Sequence, residues 1–286
     1  MEAGGYRHDM VSHAVHDWSL HRTLGRFVSV HANPPGASSG MTPTDAEPGS
    51  LALLDLPREL AARGYDTVQL CHFHLPSRDR SYLDELRSAL SDAGIALDAL
   101  LVDAGDLVHL TDAEIHERWI AGWLEDAAVL GARRARVIAG QSEPTPHRLA
   151  QSSQALRRLA QVSEVRVVTE NWMALLPTAV EVHHLLDACE GEVGLLVDLA
   201  NWTGPDRDVQ LASIGGRAET SHAKCRTTGD GALDVDDYRR ALQAVLGAGF
   251  SGPLCLVYDG PDPDEWDKLA GCQEVVDEVT SAATTA

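Results

Sequence analysis

No apolar run approaches the ~20 residues that a membrane-spanning helix needs. The first residues, MEAGGYRHDMVSHAVHD, also lack the basic-then-apolar order of a signal peptide. Cysteines are few: Cys71, Cys189, Cys225, Cys255 and Cys272 are scattered, odd in number and without a CxxC pair. That spacing argues against a disulfide framework or a thiolate zinc site. The five read as small buried hydrophobes, and a reducing cytoplasm is the expected setting. Basic charge is scarce as well, with 23 Lys and Arg against 43 Asp and Glu and a formal charge of −20. Such a field repels phosphate backbones and anionic membranes, so neither nucleic acid nor a membrane is an expected partner. A glycine-rich G-x-G-x-x-G turn after an early strand is lacking. The match GAGFSG, residues 247–252, follows a helix-like segment and precedes the strand-like PLCLVYDG, the wrong context for a dinucleotide-binding fingerprint.

What is present is an alternation. Past residue 50, segments rich in Ala, Leu, Arg and Glu at helical spacing exchange with short Val/Leu/Ile runs. SLALLDLPRELAARGY reads as a helix ending near Gly64 and precedes the strand-like DTVQLCHFHL. The pattern repeats through RARVIAG, EVRVVTENW, EVGLLVDLANW, ETSHAKC and PLCLVYDG. Seven such units follow residue 65, and MVSHAVHDW supplies a first strand. Continuous apolar strands between amphipathic helices indicate a parallel sheet covered by helices. Eight units in about 250 residues match a closed α/β barrel of the (β/α)8 TIM type better than an open sheet. A single domain over residues 1–286 is expected, with a flexible loop-forming insertion at 33–49, NPPGASSGMTPTDAEPG. RFVSV, residues 26–30, is assigned to that insertion, although it also has the composition of a strand.

In a closed barrel, chemistry gathers at the C-terminal strand ends. Those ends carry His72 and His74 on strand two, Asp103 on strand three, Glu170, Asn171 and Trp172 on strand five, and Asp198 and Asn201 on strand six. His222 and Lys224 belong to strand seven and Asp259 to the end of strand eight. A carboxylate behind an apolar strand is costly to bury unless something neutralises it. Converging carboxylates and one neutral imidazole are reconciled by a divalent cation, and mixed O/N donors suit Mn²⁺, Mg²⁺, Co²⁺ or Zn²⁺. His222 is thus an expected ligand, with Lys224 aimed into the same pocket as a polarising or proton-handling group. Plainer roles stay open for each residue: a helix cap or an arginine partner for Asp259, a hydrogen-bonded core histidine for His222, a purely structural role for His72 and His74.

With those residues in view, the sequence resembles the sugar phosphate isomerase/epimerase superfamily, the xylose isomerase-like TIM barrels related to endonuclease IV. The likeness runs from GYDTVQLCHFHLPS onward and is densest in TENW, LLVDLANW, SHAKC and LVYDGPDPDEW. The resemblance implies one divalent metal, Mn²⁺ foremost, held by Glu170, Asp198 and His222. The family's fourth ligand, a glutamate, falls on Val257, and Asp259 lies one pleat beyond, where it could ligate directly or through water. The histidine usual three residues after the strand-six Asp is Asn201 here.

The expected activity is proton transfer beside the carbonyl of a sugar, polyol or related small molecule. Glu170 would act as base, Lys224 would stabilise developing charge and His74 would shuttle a proton. His72, Asp103, Asn171, Trp172 and Asn201 would contact the substrate. Without a second glutamate, a lyase, dehydratase, C-glycoside-cleaving or cyclase reaction competes, as does a barrel that only binds metal or ligand. Endonuclease activity is disfavoured by the acidic charge and by too few histidines for three zinc ions. A homo-oligomer stays open, since Trp119 and Trp123, four apart on one helix, could reach a subunit contact.

Overall fold

The computed structural model describes residues 13–25, 31–35 and 49–284. RFVSV and residues 36–48 of the expected insertion lie outside the described residues. Eight parallel strands close in chain order: β1 (His13–His16), β2 (Thr67–Cys71), β3 (Ala96–Val102), β4 (Arg134–Val137), β5 (Arg166–Glu170), β6 (Gly194–Asp198), β7 (Ala218–Lys224) and β8 (Leu254–Val257). β8 pairs back onto β1, so the sheet has no edge. Around it lie α1 (Leu56–Ala62), α2 (Arg80–Asp92), α3 (Ala113–Leu130), α4 (Pro146–Val162), α5 (Ala179–Ala188), α6 (Arg207–Gly215), α7 (Val235–Gly247) and α8 (Glu265–Thr284). The chain forms the expected (β/α)8 TIM barrel.

Local chemistry explains where these elements start and stop. α2 buries Leu83, Leu86 and Leu90, a stripe at three- and four-residue spacing that turns one face to the sheet. Thr145 accepts the Arg148 N–H and Pro146 takes the first helical position, so α4 begins there. α3 ends at Gly131, whose φ of 77° a glycine adopts without strain. Each buried Leu adds roughly 1.5–3 kcal/mol, and most of the apolar core lies between the strands and this helical ring.

Inside the barrel, residues two apart on a strand share a face, which stacks the interior in layers. At the base, Asp98 accepts hydrogen bonds from Gln69 (2.9 Å) and Thr220 (2.6 Å) and pairs with Arg134. Above it comes a small apolar cluster that includes Ala99, Leu101, Val168 and Leu196. One step further along their strands, Val168 gives way to Glu170 and Leu196 to Asp198. The fold therefore delivers its carboxylates to the C-terminal mouth.

Candidate metal centre and active-site cavity

β5, β6 and β7 are neighbours, and the register sets Asp198 directly beside His222 and Glu170 beside Leu196. His222 Nδ1 lies 3.4 Å from Glu170 Oε1 and 3.5 Å from Asp198 Oδ2. All three residues are buried, and one donor atom from each fits within a span of 4.8 Å. Ligands on opposite sides of one small divalent ion lie about 4–5 Å apart. The surroundings leave the donors turned inward. Asp198 Oδ1 accepts the Ala200 and Asn201 N–H groups at 2.6 and 2.8 Å, which leaves Oδ2 for the cluster. Asn201 Nδ2–H donates to Glu170 Oε1 at 2.7 Å. His222 Nε2 is buried without a hydrogen-bond partner among the described residues, and Glu170 Oε2 meets only the Arg136 guanidinium. Two carboxylates, an imidazole and an orphaned buried ring nitrogen together fit a divalent cation.

The electrostatics agree. Burial alone would push His222 down, but the Glu170 and Asp198 carboxylates outweigh it and lift the ring's pKa to about 9. For Asp198, burial favours the protonated form, yet His222 and Lys224 hold the carboxyl below its ordinary value. Lys224 is likewise penalised by burial and raised by Asp198 and Asp259. The cluster binds protons where a cation would remove them.

This cluster forms one wall of a cavity of about 550 Å³ at the barrel mouth. Asp103, Trp172, Asn201, Lys224 and Val257 also line it, together with His16, Trp18, Arg136, His109 and His116. Arg136, fully buried, reaches Glu170 Oε2 through Nε (3.0 Å) and pairs with Asp103 through Nη2. Its guanidinium lies 5.0 Å from the Trp172 ring centre. Burial opposes its charge, but Asp103 and Glu170 keep it firmly protonated. Met173, next to Trp172, holds a left-handed φ of 61° on the cavity wall. A non-glycine residue costs about 1–3 kcal/mol there, strain that gathers at functional sites. The loop after β3 passes through Gly105 (φ 94°), where an added Cβ would stand 2.9 Å from Ile120.

The family model for the xylose isomerase-like TIM barrel matches residues 57–274. The chain belongs to that family. Solved structures of the same fold include a xylose isomerase-like TIM barrel protein from Mycobacterium smegmatis in complex with magnesium. It is 16% identical, with a TM-score of 0.67, and the match covers 96% of this chain and 99% of that one. D-psicose 3-epimerase from Clostridium cellulolyticum H10, crystallised with D-tagatose, is 14% identical (TM-score 0.61, 80% of this chain and 92% of that one). The probable 3-DHS dehydratase of petrobactin synthesis from Bacillus anthracis is 13% identical (TM-score 0.65, 93% and 98%). At such identities the likeness is one of fold. No curated protein matches the chain.

Several expected residues of this xylose isomerase-like barrel stand elsewhere. β2 ends at Cys71, and His72–His74 forms a 3-10 turn, so strand alternation does not carry both histidines to one side. Neither lines the cavity. His72 is sealed in: Nε2–H donates to the Ala32 carbonyl (2.9 Å), Nδ1 accepts the Asp103 N–H (3.1 Å), and Trp119 and Trp123 pack edge-on against it. Trp123 is wholly buried by that packing and is not a contact surface. His74 donates from Nδ1 to Asp17 Oδ2 at 2.8 Å. Asn171 does not line the cavity either. It bridges β5 to β6, donating to the Asp198 carbonyl and accepting the Asp198 N–H. Asp259 lies past the end of β8, its side chain 37% exposed, and pairs with Lys224 instead of joining the cluster.

The residues that went unread are Arg136, His16 and the pair His109 and His116. Arg136 had a signal: RARV places two arginines on one face of an otherwise apolar strand, and a buried cation needs buried anions. His16 had little, since one histidine ending a four-residue strand resembles any other. A further acidic group, Asp17 with His16 and Cys71, brings three potential donors together. Its carboxylate is already committed to the Cys71 N–H and to His74, and burial holds the Cys71 thiol well above its ordinary pKa. That group reads as a structural knot.

Proposed function

We propose that this protein is a metal-dependent isomerase- or epimerase-type enzyme that moves a proton beside a carbonyl of a sugar or related polyhydroxylated small molecule. One observation carries the reading: Glu170, Asp198 and His222 meet within 4.8 Å at the mouth of a family barrel, against a cavity of about 550 Å³. Glu170, Asp198 and His222 would hold a single divalent ion, Mn²⁺ first, with Mg²⁺, Co²⁺ and Zn²⁺ as alternatives. When bound, such an ion supplies Lewis-acid polarisation of substrate oxygens.

The protein's own groups divide the remaining work. Glu170 is the base, aimed by Asn201 at one oxygen and by Arg136 at the other. Lys224 offers positive charge to a substrate oxygen that gains electron density, and Asp259 fixes its ammonium. Arg136 keeps Asp103 ionised and gives Trp172 a flat, cation-backed surface for a sugar face. Asp103 and Asn201 supply hydrogen bonds to substrate hydroxyls at the same rim.

A second reading rests on Val257. The β8 wall presents an apolar side chain, so no carboxylate faces Glu170 from there. Elimination needs one base and one acid, and so a lyase, dehydratase, C-glycoside-cleaving enzyme or cyclase also suits the site. The test is metal analysis of purified protein followed by reaction with D-tagatose in D₂O, with Mn²⁺ and with chelator. Deuterium entering one carbon of an intact sugar supports isomerisation, and loss of water supports elimination. Exchange that survives chelation overturns the metal-dependent reading, and tight metal binding with no exchange in any ketose leaves a binding protein.

A further inference from the structure

We infer that His16 is a substrate-contacting hydrogen-bond donor, standing on the wall where Val257 lacks one and facing Glu170 across the cavity. The inference rests on the proposed function, because it gives a role to a second polar group on the same substrate.

Placement comes first. In a closed order of eight strands, β1 lies diametrically across from β5, which carries Glu170. β1 and β8 run in register with His13 beside Leu254, Ala14 beside Cys255 and Val15 beside Leu256. One more step sets His16, the last residue of β1, beside Val257. Both line the cavity, and the His16 ring centre is 4.7 Å from that of His222. An imidazole therefore occupies the stretch of wall that the apolar Val257 leaves without a polar group.

Chemistry then fixes which atom faces the substrate. The chain turns sharply after β1 into a 3-10 turn, Asp17–Leu20, and the Trp18 backbone N–H donates to His16 Nδ1 at 2.9 Å. A backbone amide can only donate, and at 2.9 Å it is far closer to Nδ1 than Asp17 Oδ1 at 3.5 Å, so Nδ1 accepts and the neutral ring carries its hydrogen on Nε2. No described residue accepts from Nε2 (the Cys71 sulfur, 4.0 Å away, lies on the Nδ1 side). The turn itself is held rigidly. Asp17, fully buried, accepts the Cys71 N–H with both oxygens at 2.9 and 3.1 Å and the His74 Nδ1–H at 2.8 Å. This gives His74 a purpose too: it braces the carboxylate that shapes the turn, one step removed from the cavity. Trp18 stacks on His21 with ring centres 4.5 Å apart, which fixes the other side of the turn. A donor on a rigid element, with its tautomer set by the main chain, suits a substrate oxygen at the end opposite the base.

The test uses full-length protein loaded with Mg²⁺ and labelled with ¹⁵N-histidine. His16 should show the Nε2–H tautomer, and its Nε2 resonance should move when D-tagatose is added. His16→Phe keeps the ring volume and loses the donor, so the D-tagatose Kd should rise about tenfold. His16→Gln, which can set an amide N–H near the Nε2 position, should recover most of that affinity. Metal content should match wild type in both variants. A proton on Nδ1, or an unchanged Kd in His16→Phe, overturns the inference. If D-tagatose does not bind metal-loaded wild type at all, the sugar reading falls separately. The ring then decides its own case by glycerol titration: a moving Nε2–H signal supports the inference, and a still one overturns it.

Discussion

Asp198 and His222 are register partners on adjacent strands, with Oδ2 3.5 Å from Nδ1 and Glu170 Oε1 only 3.4 Å from the same nitrogen. An imidazole so placed is cationic when no metal is present and must be neutral to bind one. That switch makes the centre measurable without knowing the substrate.

Removing the imidazole should remove the metal. In His222→Ala, Mn²⁺ affinity should fall at least tenfold, read by titration calorimetry and by metal analysis after dialysis. Asn171→Ala, by contrast, leaves all three donor residues in place and takes away only the β5–β6 bridge, so a smaller loss is expected. Equal metal content in wild type and His222→Ala would remove the centre from consideration.

Metal uptake should release a proton. His222 has an ordinary pKa of 6.5 and sits at about 9 in the metal-free protein. Below pH 9 each unit of acidification should therefore weaken apparent affinity by about tenfold, and above it the curve should flatten. Calorimetry in two buffers of different ionisation enthalpy at pH 7 should count about one proton released per ion. The same shift bears on stability. The folded pKa is raised, so protonated His222 stabilises the metal-free fold fully below pH 6.5, and that contribution fades as pH climbs through 9. A shift from 6.5 to about 9 is worth on the order of 3 kcal/mol. Chelated protein should thus lose urea resistance between pH 6.5 and 9, and metal-loaded protein should not.

Arg136 should matter to stability as much as to activity. It is buried between Asp103 and Glu170, and its removal takes the guanidinium from both, leaving Glu170 with His222 as its remaining cation. Arg136→Met should cost roughly 3–5 kcal/mol in chemical denaturation. Arg136→Lys should recover only part of that, since a single ammonium does not serve two carboxylates as a planar fork does. A loss below about 1 kcal/mol in Arg136→Met would show the network to be dispensable.

Much of this site was legible in the sequence because strand ends in a barrel are periodic. Val168 and Glu170, or Leu196 and Asp198, alternate two by two, so an acidic residue closing an apolar run reads directly as a carboxylate at the mouth. His222 and Lys224 followed from the same rule. The rule failed where the strand had already ended. His72 and His74 belong to a 3-10 turn, and Asp259 lies past β8, so counting pleats placed them on faces that the backbone no longer has. Arg136 and His16 escaped for another reason. Their roles depend on partners on other strands, Asp103 and Glu170 for one and a backbone amide in a tight turn for the other, and no local spacing announces such partners.

Val257 offers the most direct test of how the β8 wall shapes this centre. It lies beside Lys224 in the register and lines the cavity with the three donor residues. Val257→Glu would add a carboxylate to a space that already holds Glu170 and Asp198, where Arg136 is committed to Glu170 and Asp103 and only Lys224 and a protonated His222 are left to offset it. Without metal, the new charge should destabilise the fold by about 1–3 kcal/mol. With a divalent ion the sign should reverse, because a fourth oxygen donor near the cluster adds to binding and the repulsion is neutralised. Thermal melts with and without Mn²⁺ should therefore diverge more in Val257→Glu than in wild type. If the variant melts lower by the same amount in both conditions, the β8 wall does not communicate with the cluster. The missing glutamate would then have no bearing on what this barrel does.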